Sequence, residues 1–436
     1  MTLATYRWSG LDAAARAALL RRPAQDDSAA LAARVESIVA DVRARGDAAL
    51  AELTERYDGV TLETLQVGAV EFLAAEAALP DVAHAAIDRA IANVRRFHEA
   101  QRLPPLSIET SPGVRCERIE VPIEAVGLYV PAGSAPLPSA AIMTAVPAAI
   151  AGCAVRVLCT PPRRDGRADP AVLVAARRAG ITEVYKVGGA QAIAAMAYGT
   201  ASIPKVDKIC GPGNAWVTAA KLVVARDPLG AALDLPAGPS EVLVIADDSA
   251  RPAFVAADLL AQAEHDPSAQ VILVTTSAAL GAAVVADVER QQASLSRRAI
   301  TTAALKASRV ILVEDLPTAF AVSNAYAPEH LILEIDGARD WLPSVRAAGS
   351  VFLGHWSPES IGDYCSGTNH VLPTYGYARA FSGLSVGDFM RRITVQELTP
   401  AGLADLGPVA QTLAGLEGLD AHAAAVTVRL AALGAP

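Results

Sequence analysis

Glu183-Val184-Tyr185-Lys186-Val187-Gly188-Gly189-Ala190-Gln191 reads as a short strand that passes through two glycines into an apolar helix. The same unit recurs on either side. Val155-Arg156-Val157-Leu158 and Val206-Asp207-Lys208-Ile209-Cys210 have strand composition, and the second runs through Gly211-Pro212-Gly213-Asn214 into another apolar helix. After a break at Pro236-Ala237-Gly238-Pro239-Ser240 a second series follows, with strands at 242–245, 271–275, 310–313, 331–334 and 351–353. Such alternation implies parallel sheets covered by helices. Two sheets fit a chain of 436 residues. No repeat of short period is present, and the two series are candidates for distant duplicates of one another.

Outward from this α/β body the pattern changes. Over about 29–102 it is helical, with Leu31, Val35, Ile38, Val39 and Val42, and later Ile87, Ile91, Val94 and Phe97, at three- and four-residue steps. Residues 115–129 alternate as short strands do and lead into the glycine loop Val130-Pro131-Ala132-Gly133-Ser134. Beyond about 384 the strand signal stops, and 403–433 reads as a helical tail.

Composition narrows the function. A net charge of −9 argues against a nucleic-acid partner, which needs a basic surface. The longest apolar stretch, 140–159, is interrupted by Pro147, Gly152 and Arg156, so it reads as a buried helix followed by a buried strand, not a membrane span. The start, Met1 to Trp8, lacks the basic-then-apolar order of a secretory signal. Five cysteines with no CxxC spacing fit reduced thiols in a cytoplasmic enzyme.

The chemistry concentrates in a few segments. In Tyr326-Ala327-Pro328-Glu329-His330 a carboxylate and an imidazole are adjacent, two proton acceptors of different basicity. Gln262 and His265 stand three apart on a helix that starts near Arg251, where they either cap its end or project as ligands from one face. Asp363, in the presumed loop Gly362-Asp363-Tyr364, and His422 near the C-terminus would complete a nitrogen/oxygen set acceptable to zinc. The glycines before the helices at 189 and 215 offer backbone amides to a phosphate, without a GxGxxG fingerprint.

Taken in order, several segments resemble the histidinol dehydrogenases: Gly-Pro-Gly-Asn (211–214), Ala-Gly-Pro-Ser-Glu-Val (237–242), Ala-Asp-Leu-Leu-Ala-Gln-Ala-Glu-His-Asp (257–266), Ala-Tyr-Ala-Pro-Glu-His-Leu (325–331), Gly-Asp-Tyr (362–364), Gly-Thr-Asn-His-Val-Leu-Pro-Thr (367–374) and Glu-Gly-Leu-Asp-Ala-His (417–422). The resemblance runs from the N-terminal helices to the tail. It implies a zinc enzyme that converts L-histidinol through L-histidinaldehyde to L-histidine with two NAD+ and one water. It assigns zinc to Gln262, His265, Asp363 and His422, proton transfer to Glu329 and His330, substrate binding to Ser240 and Glu417 as well as to His330 and the zinc ligands, and NAD+ to Tyr129, Gln191 and Asn214. His370 falls inside a matching motif as a neighbour of the substrate.

The resemblance also implies an organisation. Two incomplete Rossmann-like units are expected, one from 27–130 with 241–384 and an inserted one at 131–240. A segment 1–26 precedes them, and a helical tail, 385–436, crosses to the partner in an interlocked homodimer. Three rivals stand beside this reading. A related zinc/NAD dehydrogenase acting on a small acidic diol such as sulfopropanediol is disfavoured by Glu417, which would repel a sulfonate. A zinc hydrolase would bind no nicotinamide, and a metal-stabilised binding protein would leave the Glu-His pair without a task.

Overall fold

The structure, a computed structural model, describes residues 3–23, 28–132, 135–236 and 238–434. Met1, Thr2, residues 24–27 of the N-terminal segment, Gly133 and Ser134 of the glycine loop, and Ala237 of the break between the two series lie outside the described residues. In chain order the strands are β1 (Ala4–Arg7), β2 (Leu106–Ser111), β3 (Val114–Pro122), β4 (Ala125–Tyr129), β5 (Val155–Thr160), β6 (Glu183–Lys186), β7 (Lys208–Cys210), β8 (Ala232–Leu233), β9 (Glu241–Ala246), β10 (Gln270–Thr275), β11 (Arg309–Leu312), β12 (His330–Glu334), β13 (Ser350–Leu353) and β14 (Met390–Leu398).

The chain forms two compact units, Met1–Gln101 with Ile123–Phe389, and Arg102–Pro122 with Met390–Pro436. The first contains two parallel sheets, in the orders β6-β5-β4-β7-β8 and β1-β11-β10-β9-β12-β13. Apart from the added edge strand β1, the two sheets share one connectivity: a central strand, two strands added in sequence on one side, then two on the other.

Burial explains the continuous apolar runs that mark these strands. In β9, Val242 and Val244 join the core on one face of the six-stranded sheet with Val255, Leu259 and Val271. Leu243 and Ile245 join the core on the other face with Ile272, Phe320 and Leu331. A strand buried on both faces has no polar side to alternate with.

The segments that pack together differ from the boundaries drawn on the sequence. The helix Ser28–Arg45 sends Val35, Ile38, Val39 and Val42 into the core of the five-stranded sheet, beside Ile193, Met196, Val217 and Val224. β4 is the central strand of that same sheet, so the cut at 130/131 falls just past its end. The inserted series is thus completed by earlier chain. No helix among the described residues is long and apolar enough to cross a membrane.

In the second unit β14 pairs antiparallel with β3 from Met390↔Pro122 to Leu398↔Val114, and β2 flanks β3. A strand at 390–398 was not expected. Its residues are mostly exposed, so it lacks the apolar signal of a buried strand, and pairing along its whole length sets its conformation instead. The helices Pro400–Glu417 and Asp420–Leu433 follow, broken at Gly418, whose φ of 70° closes the first of them.

Candidate active site

Glu329 and His330 are placed by an unusual turn. The helix Leu316–Tyr326 ends in Ala327, which takes φ 55° without being glycine, and its N–H returns to Ser323 O at 2.7 Å. Pro328 prevents the helix from continuing. Glu329 therefore sits at the mouth of β12 and His330 is its first residue, both buried.

Their contacts fix both groups. Glu329 Oε2 accepts from the Glu241 backbone N–H at 2.8 Å and from Gln262 Nε2 at 3.3 Å. His330 Nδ1 lies 3.1 Å from Glu241 O and 3.0 Å from Gln262 Nε2. With the Nδ1 proton directed at Glu241 O, Nε2 is the nitrogen left for proton exchange. It stands 3.3 Å from Asp363 Oδ1, an ion-pair distance without hydrogen-bond alignment. Burial, the largest influence, lowers the pKa of His330, but the charges of Glu329, Asp363 and Glu359 outweigh it and the net direction is up. Burial likewise raises Asp363, and the contact and charge of His330, joined by His370 and His265, bring it below the usual range.

Gln262 sits in the last turn of the helix Pro252–Ala263 and is fully buried. Its Nε2 faces two carboxyl or carbonyl acceptors, which sets the amide orientation and leaves Oε1 buried with no hydrogen-bond partner among the described residues. His265 is not on that helix. The helix closes at Glu264, and His265 lies exposed in the turn beyond, so the shared helical face expected for the pair does not exist. Asp363 is also placed differently from the expectation, on the short helix Glu359–Tyr364 and not in a loop.

A cavity of about 1000 Å³ gathers most of the singled-out residues: Tyr129, Gln191, Asn214, Ser240, His265, Glu329, His330, Asp363 and His370 all line it. Tyr129 Oη accepts from Gly189 N–H at 2.9 Å at the start of the helix Gly189–Tyr198. Asn214 caps the helix Ala215–Arg226, its Oδ1 accepting from Trp216 and Val217 N–H at 3.1 and 3.2 Å. Two helix N-termini thus open at the cavity wall. Glu417 and His422 belong to the second unit, where both are exposed.

The sequence profile of the family described as Histidinol dehydrogenase matches residues 20–430. The chain belongs to the histidinol dehydrogenase family. It is 57% identical over 423 residues to the histidinol dehydrogenase of Xanthomonas axonopodis pv. citri (strain 306), covering 97% of this chain and 98% of that one. To the enzyme of that name from Vibrio parahaemolyticus serotype O3:K6 it is 53% identical over 426 residues, 98% of each. The crystal structure of histidinol dehydrogenase from Elizabethkingia anophelis superposes with a TM-score of 0.95 at 45% identity, over 99% of each chain.

Two residues of this histidinol dehydrogenase family site escaped the sequence reading. Glu359 is buried, with Oε2 unpartnered among the described residues, and burial first, then the carboxylates of Asp363, Asp258 and Glu329, hold its pKa far up although His330 opposes them. It stands four before Asp363 on one helix, a spacing that puts both on one face and is readable in the sequence. Glu241 supplies the backbone N–H and C=O that hold Glu329 and His330, and its side chain is gripped by Arg22 Nε and Nη2 at 2.6 and 2.9 Å. Backbone contacts of that kind leave no signature in residue type.

Proposed function

We propose that this chain oxidises L-histidinol through L-histidinaldehyde to L-histidine at the end of histidine biosynthesis, using two NAD+ and one water. The observation that carries the reading is the Glu329-His330 pair held on Glu241 and Gln262, with His330 Nε2 opposite Asp363 at one wall of a cavity roomy enough for a dinucleotide. Family membership over nearly the whole chain supports the same substrate and disfavours the acidic-diol rival. A hydrolase has no use for the second half of the cavity, where two helix N-termini open on a parallel sheet of Rossmann-like strand order.

The residues present fit a divalent ion. Gln262 Oε1 is a buried oxygen without a partner among the described residues, and with the carboxylate of Asp363 and the imidazoles of His265 and His422 it would make a set suited to zinc. His422 and Glu417 would come from a second copy of the chain. When bound, zinc supplies charge and orientation to the imidazole and amino nitrogens of the substrate, and NAD+ bound along Tyr129, Gln191 and Asn214 accepts hydride.

The chain's own groups divide the proton work. His330 takes the alcohol proton through Nε2 as the first hydride departs. Glu329, whose hydrogen bonds all reach Oε2, retains Oε1 to draw a proton from water as it adds to the aldehyde. The gem-diol so formed loses the second hydride. Ser240 and His370 line the cavity beside the pair and hold the substrate, with Glu417 of the second copy taking its amino end. A progress curve with limiting histidinol tests the reading: two NADH for each histidinol consumed is the expected yield, and one NADH, or none, would refute it.

A further inference from the structure

Asp58 is the last residue of the helix Asp47–Asp58, fixed there by Gly59, which takes φ 72° and returns its N–H to Glu55 O at 3.1 Å. A carboxylate at this point meets the negative end of the helix dipole. Its Oδ2 is buried and has no hydrogen-bond partner among the described residues. Burial raises its pKa to about 6. The fold thus keeps an acid where it lowers stability, and no contact among the described residues accounts for it.

Asp58 lines the large cavity together with Tyr57, Ile38 and Pro161. Ile38 is part of the core of the five-stranded sheet, so this is the end of the cavity built on that sheet, whereas Glu329 and His330 belong to the six-stranded one. Burial pushes the Tyr129 phenol up to about 12 and the nearby charge of Asp58 adds to it, while Tyr129 Oη accepts from the Gly189 N–H at a helix N-terminus. Tyr57, about half exposed, offers a ring face at the same end.

In dinucleotide sites of this strand order, an acid at the end of the second strand accepts hydrogen bonds from the adenosine ribose. Here that strand is β5, and it runs out through Cys159-Thr160-Pro161-Pro162 with no carboxylate. We propose that Asp58 fills this role from outside the sheet, accepting from the ribose hydroxyls of NAD+ and repelling the 2′-phosphate of NADP+. The inference rests on the reading that the cavity binds NAD+. Ribose hydroxyls would donate to the carboxylate where it lines the cavity, whereas a phosphate would set two anions together in a partly buried space.

Isothermal titration of the full-length chain with NAD+ and with NADP+ tests this without catalysis. The wild type is expected to prefer NAD+ by about 100-fold, and Asp58→Asn to cut that ratio by roughly tenfold or more, with Asp58→Glu retaining most of it. Asp58→Asn is also expected to melt no lower than the wild type, since the carboxylate is unsatisfied in the free protein. An unchanged ratio in Asp58→Asn, equal weakening of both nucleotides, or an unfolded variant would each overturn the role of Asp58 while leaving NAD+ binding by the wild type intact. Failure of the wild type to bind NAD+ would overturn the cofactor reading itself.

Discussion

Lys221 and Asp234 clamp the peptide of Gly211 from both sides: Lys221 Nζ donates to Gly211 O at 2.5 Å, Gly211 N–H donates to Asp234 Oδ2 at 2.8 Å, and Nζ closes the ring on Asp234 Oδ1 at 2.8 Å. Gly211 takes φ 122°, and any Cβ there would collide with Tyr129 O. The loop it anchors carries Asn214 to the cavity wall.

Lys221→Met would leave the fully buried Asp234 carboxylate without its cation. Breaking such a pair is expected to cost about 3–5 kcal/mol in urea unfolding and to weaken NAD+ binding through the displaced loop. A loss under about 1 kcal/mol with unchanged NAD+ affinity would show that the clamp is not what holds the loop.

Glu329 and His330 can be separated by half-reaction. Glu329→Gln is expected to impair conversion of histidinaldehyde to histidine more than oxidation of histidinol, and His330→Asn to slow the first step, each by roughly 10²-fold or more. Each variant is assayed with histidinol and then with histidinaldehyde. Equal losses in both steps for both variants would contradict the division of labour.

Asp258 gives a pH dependence of stability. Burial, reinforced by Glu334, raises its pKa from 3.8 to about 7. Between those values the folded chain holds a proton that the unfolded chain has released, so this group lowers stability as pH rises from about 4 to 7. Asp258→Asn is expected to flatten that slope and to gain on the order of a few kcal/mol at pH 8, with little change near pH 4. Urea unfolding across that range gives the measurement, and parallel curves for the two proteins would show that Asp258 does not titrate in this window.

Much of this molecule is legible in its sequence because its strands are buried on both faces. Runs such as Val242 to Ile245 have no other use, and the glycines at 188–189 and 211–213 mark where strands turn into helices. What could not be read is whatever depends on partners far apart in the chain. β14 is a strand because β3 lies beside it, and Val35 and Ile38 join the core of the five-stranded sheet because the helix Ser28–Arg45 packs on the helices Gly189–Tyr198 and Ala215–Arg226. In the site, Glu329-His330 was visible as a pair, but Glu241 acts there through backbone atoms that any residue would supply. His265 and Asp363, singled out as zinc ligands, both line the cavity but were assigned the wrong local structure: one spacing of three was read as helical past the end of its helix, and one glycine was read as a turn within a short helix.

Metal content tests His265. It lies at the cavity and outside the buried core, so its replacement removes a donor with little effect on folding. His265→Asn is expected to retain less than about a tenth of the zinc of the wild type after dialysis against a weak chelator, with a similar melting temperature for the two metal-free proteins. Full zinc retention would remove His265 from the ligand set.

The last prediction concerns assembly. Glu417 and His422 sit in the second compact unit, exposed, on the helices Pro400–Glu417 and Asp420–Leu433. Those helices and the link between them carry exposed Leu413, Leu416, Leu419 and Val428, apolar surface that a second copy would cover. If each site takes His422 from the other chain of a dimer, a heterodimer of one Asp363→Asn chain and one His422→Asn chain has one site with both defects and one site intact. Each homodimer should be inactive, and mixing them under conditions that exchange subunits should restore about a quarter of the wild-type activity, since random exchange makes half of the dimers mixed and each mixed dimer carries one good site of two. Subunit exchange confirmed by native mass spectrometry without return of activity would mean that the tail serves its own chain.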